Sequence, residues 1–417
     1  MLKINKAVLS ITLILVFLSC SKRERLNPLD LENPNTAGKP TGLTLLPIRD
    51  TVKISWEEIE VNNLSTYVLY KGIAYSGLTQ VATISSDSTE YTDTDVNFYE
   101  TYSYAVQGVT DFMESPLSEA ASITVGPYSI YVADFFDNSV RILSWDGSVL
   151  VKRRSVSSPR VIQYRESDRR FLLANYYDRM VVLLSTDLND ADYIEIGDYL
   201  LDLAVNQSNH HLYVLTRSGT ILEFDESNQM VDSRSLGLQP GWDAQMELDP
   251  IGFGLWTSIP DSGMVHYVSN ANDGENNQFF KELDYPSALS SYNGCWVATR
   301  SGIAHLSTNG DSEIFEKNVW VTDVEIDTVA KECFYIGKNL EQNKWVAGKI
   351  NLETKSKTIL LDGDYRYLNQ IFPFTTDNGT EFLVQEAVTW TLIRFNENGE
   401  KIGEIGDFNS RLDFQIY

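Results

Sequence analysis

The chain has 417 residues, too many for one ordinary hydrophobic core, so two domains are the starting expectation. With 33 Lys+Arg against 58 Asp+Glu the formal charge is −25, which excludes the basic face of a nucleic-acid binder and electrostatic docking on anionic lipid, and which solubility explains without further function. Aromatic residues at 12%, many Thr, Val and Ile pairs and frequent Asp, Asn and Gly breaks favour strands and turns, and no amphipathic helix is readable beyond residue 30.

The N-terminus carries Lys3 and Lys6, then an apolar run from Ala7 to Leu18, then Ser19 and Cys20. That run is short for a bilayer span and has the layout of a secretory signal. A Cys directly after it resembles the lipobox of bacterial lipoproteins, with Phe17 in place of the usual Leu. The resemblance implies a signal peptide over 1–19, lipidation of Cys20 and a place in the bacterial cell envelope. There the acyl chains would supply the membrane contact. Ser21, where Asp often marks inner-membrane retention, points to the outer membrane. Residues 20–38, rich in Pro, Asn and charge, read as a flexible tether.

Residues 39–126 hold about seven short strands, among them "TVKISWEEIE", "STYVLYKG", "TQVATIS" and "TYSYAVQGV". That count in under 90 residues suits an immunoglobulin-like sandwich. The stretch resembles a fibronectin type III domain. Trp56 falls where that family keeps its core Trp, Tyr67 and Tyr70 match the next strand, and Gly108 replaces the usual Ala. The resemblance makes Tyr102 the corner tyrosine, with its hydroxyl tied back to the main chain.

From 127 to 417 a pattern recurs, in which an aromatic-rich strand follows a shorter one and precedes a polar turn. Taking Tyr131, Leu172, Tyr213, Leu255, Trp296, Phe334 and Leu383 as equivalent, the spacings are 41, 41, 42, 41, 38 and 49. Multi-stranded repeats of this length are propeller blades. Six inner strands are visible, and the first repeat lacks one. "LDFQIY" at Leu412–Tyr417 matches the missing strand in size and pattern, so it is expected to close the ring. The repeats are similar to NHL and YVTN propellers, most clearly at "IYVADFFDNSVRILSWDG" with Asp134, Asn138, Arg141 and Asp146. The expected fold is all-β, a fibronectin type III-like sandwich followed by a seven-bladed β-propeller closed by its C-terminal strand.

Aligned by eye, the inner strands place Arg160, Asp202, Asp243, Ser287, Asp323, Asn369 and Asp413 in one column at a channel mouth. Two accounts stand for this column. Its carboxylates would hold a hard cation or hydrogen-bond a sugar; alternatively, they cap strand starts and satisfy loop amides. Trp242 and Trp320 lie beside it and suit saccharides or peptides, or pack blades. His210, His211, His266 and His305 read as surface or packing residues, so a His-ligated zinc site is not expected. Cys295 and Cys333 occupy the same position of consecutive repeats and read as small buried hydrophobes, not a disulfide. "DTDVNF" (Asp93 to Phe98) lacks the Gly and Glu of a calcium loop and reads as a turn. Nothing in the chain matches a P-loop, a Gly-x-Ser-x-Gly elbow or a Cys-x-x-Cys pair.

Two functions follow. The first is a lipid-anchored envelope scaffold, with no catalytic residue, whose propeller docks a protein or glycan. The second is a lactonase-like hydrolase or lyase using a cation held by Asp202, Asp243, Asp323, Asn369 and Asp413. No cofactor is expected beyond that divalent cation, and no nucleic-acid partner.

Overall fold

A computed structural model describes residues 27–48, 50–61, 63–73, 76–147, 149–249, 254–269, 278–363, 365–376, 379–406, 408 and 412–417. The signal segment, Cys20 and residues 21–26 lie outside the described residues. Among those described, no helix is long and apolar enough to cross a membrane. The chain divides into two compact units at Val125/Gly126.

Among the described residues the first unit has seven strands in two antiparallel sheets. Thr44–Ile48, Thr51–Ser55 and Glu90–Asp93 form one; Thr79–Ser85, Leu64–Ile73, Thr101–Thr110 and Ala121–Thr124, in that spatial order, form the other. Alternation in "TVKIS" buries Val52 and Ile54 completely. Trp56 packs edge-on to Tyr67, ring centroids 5.2 Å apart. The Tyr102 hydroxyl accepts the Asn97 N–H at 2.9 Å and so ties its strand to the preceding turn. Asp93 is buried with Lys71, 2.8 Å away, and also accepts the Tyr104 hydroxyl at 2.7 Å.

Residues 27–38, within the stretch expected as a tether, form turns. They fold as successive turns because Asn and Thr side chains replace missing backbone partners. Asn27 Oδ1 accepts the Leu29 N–H at 3.0 Å, Asn33 Oδ1 accepts that of Asn35 at 2.9 Å, and the Thr36 hydroxyl donates to Pro28 O at 2.5 Å. Leu29 and Asn33 are buried.

The second unit contains seven four-stranded antiparallel sheets among the described residues. Their inner strands are Leu412–Ile416, Pro159–Arg165, Leu200–Val205, Gln245–Leu248, Ala288–Ser291, Val319–Asp327 and Leu368–Thr376, for sheets one to seven in turn. Neighbouring sheets bury apolar clusters against each other. Trp296, Val324 and Tyr335 join sheets five and six; Phe334, Phe382 and Phe395 join six and seven; Phe374, Leu383 and Phe414 join seven and one. Leu412–Ile416 pairs with Ile130–Asp134, Leu412 opposite Asp134 and Ile416 opposite Ile130. The strand at the end of the chain thus completes the sheet begun just after the boundary. Tyr417 adds two backbone hydrogen bonds with Ser129, at 2.7 and 3.0 Å.

Candidate binding site at the channel mouth

The inner strands line a central cavity of about 150 Å³. Pairing to the second strand of each sheet sets their true register. Asp413 lies opposite Ala133, Asp202 opposite Leu215, Ala288 opposite Ala298, Asp323 opposite Ile336 and Gln370 opposite Gln385. Ser287 and Asn369 therefore sit one residue ahead of this layer. Asp243 precedes its strand in a turn, and Arg160 occupies an irregularity between Pro159 and Ile162. Sheets three, six and seven each carry a register shift just ahead of this layer, whereas sheet five has none.

The three aspartates of the layer each hold the next sheet. Asp413 Oδ2 accepts the Ile162 N–H at 2.7 Å, Asp202 Oδ2 that of Met246 at 2.7 Å, and Asp323 Oδ2 that of Ile371 at 2.8 Å. Inner strands in separate sheets have no ladder between them, and a carboxylate bridging to a main-chain donor supplies the missing link. Among the described residues no group of three or more His, Cys, Asp or Glu side chains is placed to hold a metal ion.

Deeper in the channel stand Glu247 and Glu325. Burial raises both carboxyls, that of Glu247 to about 8, and each is raised further by acidic neighbours: Asp202 and Asp249 for Glu247, and Glu247, Asp323 and Asp413 for Glu325. Both are followed beyond the channel by a cavity of about 380 Å³ with Asn206, Gln207, Asp249 and Thr328 in its wall. The period of two along an inner strand is the sequence signal for this second layer, since Glu325 stands two places after Asp323.

At the other end, a cavity of about 350 Å³ opens between sheets four to seven. Its walls are Trp242, Tyr285, Trp320, Tyr367 and Trp390; polar groups converge from Asp243, Ser287, Thr322, Asp323, Asn369 and Gln370. Four of these rings belong to one series. Tyr199, Tyr285, Trp320 and Tyr367 stand three residues ahead of Asp202, Ala288, Asp323 and Gln370, and Trp242 stands three ahead of Gln245. An aromatic therefore stands at the mouth three residues ahead of the layer in five of seven sheets, and the column aligned from sequence, off the layer at Asp243, Ser287 and Asn369, does not reveal it. Sequence reasoning singled out only Trp242, beside Asp243, and Trp320, close to Asp323. Trp390 arrives by another route, from the turn between the second and third strands of sheet seven. Its φ is +54°, where the first two sheets place Asn138 and Arg179. A bulky aromatic in that left-handed region is strained.

Over sheets one to four the mouth is filled. Asp134 Oδ1 accepts the Asp137 N–H and Asn175 Oδ1 that of Asp178, both at 3.1 Å. These turns present Phe135 and Tyr176 to Trp242, at 5.6 and 4.5 Å. Tyr176 stacks on Tyr199 at 4.9 Å. Buried Arg160 lies 4.2 Å over Trp242, donates to Leu201 O at 2.6 Å and also bonds the Trp242 carbonyl.

The remaining candidates have packing environments. His266 is buried against Phe280, and burial lowers it to about 4; His211 meets Glu223 at 2.7 Å; His305 meets the Asn293 carbonyl at 3.1 Å. Cys295 and Cys333 are buried free thiols, both raised by burial. Arg141 pairs with Asp137 at 2.6 Å, within the turn that also carries Asn138.

No protein family and no curated protein matches the sequence. Several solved structures are similar. A functionally unknown protein from Desulfotomaculum acetoxidans gives a TM-score of 0.54 at 12% identity, covering 69% of this chain and 98% of that one. The periplasmic gluconolactonase of Pseudomonas aeruginosa gives 0.50 at 12% identity, covering 69% and 98%. BBS1N, solved in complex with ARL6DN, gives 0.50 at 12% identity, covering 68% and 89%. At this identity the likeness establishes the fold, and that fold is a β-propeller.

Proposed function

We propose that this chain is a lipid-anchored binding protein of the bacterial cell envelope, attached to the outer membrane through Cys20. In chain order a fibronectin type III-like module would precede a seven-bladed propeller whose mouth docks a protein or glycan partner. The seven four-stranded sheets and the Leu412–Ile416 closure support the blade count. The two-sheet strand order of residues 44–124 and the Tyr102 hydroxyl bond support the module. The observation that carries the docking reading is the aromatic-walled cavity of about 350 Å³ with polar groups converging on it.

The test uses full-length protein and its Trp320→Ala/Trp390→Ala variant against envelope extracts. A species retained by the parent and lost with the folded variant is the expected result; equal retention contradicts docking at the mouth. Cys20→Ser should abolish incorporation of labelled fatty acid.

The second reading, a propeller hydrolase or lyase, has in its favour only the fold shared with the gluconolactonase. In the cation form, Asp202, Asp323 and Asp413 would have to ligate while each already accepts a main-chain N–H. A thermal melt with Ca²⁺, Mg²⁺ or Zn²⁺ against EDTA separates the two. A site filled to about 100 times its dissociation constant adds about 2.7 kcal/mol, whereas the docking reading expects no shift.

A further inference from the structure

We infer that the open part of the mouth binds an organic cation: the guanidinium or ammonium head of a basic ligand such as an Arg or Lys side chain of a peptide. The inference rests on the docking reading and names its chemistry. Trp320, Tyr367 and Trp390 form the box, and Asp243 is the counter-charge.

The protein itself shows what these rings accept. In the mouth series, Tyr199 carries Arg179 at 4.4 Å, Trp242 carries Arg160 at 4.2 Å and Tyr285 carries Arg300 at 4.0 Å. Three successive members of one structural series thus each hold a guanidinium over the ring. The next two members are Trp320 and Tyr367. Among the described residues no Lys or Arg lies over either ring or over Trp390, and no basic side chain lines the cavity they share. The site has the acceptor of the series without an internal donor.

Charge favours the same occupant. The ring faces are negative by their quadrupoles, and a cation over such a face gains most where water is excluded. Burial raises the hydroxyls of Tyr285 and Tyr367, and Asp243 raises both further, so its carboxylate field reaches both walls of the cavity. Beneath lie the channel carboxyls, and the whole chain carries −25. A neutral sugar gains nothing from that field, and an anion is repelled by it. Trp390, held at a φ of +54°, adds a third ring where ordinary turn chemistry would place Asn or Gly.

The test is a tryptophan-fluorescence titration of the full-length protein with Nα-acetyl-arginine methylamide, choline and methyl β-glucoside. Saturable change with both cations and none with the glucoside is expected. Asp243→Asn, an isosteric change at an exposed position, should weaken cation binding about five- to tenfold. Raising NaCl from about 0.05 to about 0.5 M should weaken it in the parent and much less in the variant. Trp320→Leu/Trp390→Leu should remove the response, with the melt checking that the variant is folded. Saturation by the glucoside instead of the cations, or a cation affinity indifferent to Asp243→Asn, overturns the inference and leaves the docking reading intact. Silence from all three probes overturns the inference. Silence combined with unchanged retention of envelope species by Trp320→Ala/Trp390→Ala removes the docking reading as well.

Discussion

The two parts of the channel mouth are made by the same repeat and end differently. Over sheets one to four, Phe135, Tyr176, Tyr199 and Trp242 pack together around Arg160, so their rings hold the blades. Over sheets four to seven the equivalent rings wall a cavity. The difference lies less in the aromatics than in their neighbours. The first two sheets send aromatic turns into the mouth, whereas sheets five and six place Arg300 and Leu340 at the corresponding turns. An aromatic at a channel mouth is therefore structural or functional according to what the adjacent turn brings to it.

The largest effect should come from breaking the filled side. Arg160→Ala removes a buried guanidinium, leaves the Leu201 and Trp242 carbonyls without it and uncovers Trp242. A loss of about 3 kcal/mol is expected in denaturant unfolding. A loss under about 1 kcal/mol would mean that the filled side is not holding the ring.

Beneath the mouth, Glu247 sharpens the contrast through pH. Its folded pKa of about 8 lies above the ordinary carboxyl value of 4.5, so the unfolded chain releases the proton first as pH rises. Stability should fall between about pH 4.5 and 8. Glu247→Gln should raise stability at pH 8 by on the order of 2 kcal/mol and leave it unchanged at pH 4. Equal gains at both pH values would assign the effect to packing.

On the open side Trp320→Ala should cost about 1 kcal/mol in stability, well below Arg160→Ala, because the ring is only partly buried. Asp243→Asn should be smallest, within about 0.5 kcal/mol in the same unfolding experiment, since the side chain is exposed. An order of effects reversed between Arg160 and Trp320 would collapse the comparison.

Much of the architecture is legible in the chain. Spacings near 41 mark the sheets, and the unpaired first repeat calls for "LDFQIY", because a sheet lacking its inner strand must find one elsewhere. The first unit is legible for another reason: "TVKISWEEIE" alternates strictly enough to place Val52, Ile54 and Trp56 inside. Less of the site is readable. The column drawn through Ser287 and Asn369 misses Ala288 and Gln370 by one residue, since composition alone does not fix which residue of an inner strand lies opposite its partner. Trp390 is invisible to periodicity, because it comes from a turn at a backbone angle that favours Gly or Asn. Turn chemistry also explains residues 27–38, where composition says loop and the Asn33 and Thr36 side chains make order.

The closing strand has a consequence in time. Ile162 N–H and Asp413 Oδ2 are 251 positions apart in sequence, and Leu412–Ile416 pairs next to Ile130–Asp134. Contacts of such long range form late, and on a ribosome they cannot form at all until residues 412–416 emerge. Until then the first sheet presents an open edge and the channel lacks one of its walls. A chain cut before residue 412 would therefore leave Ile130–Asp134 without its inner partner and Ile162 N–H without the Asp413 carboxylate.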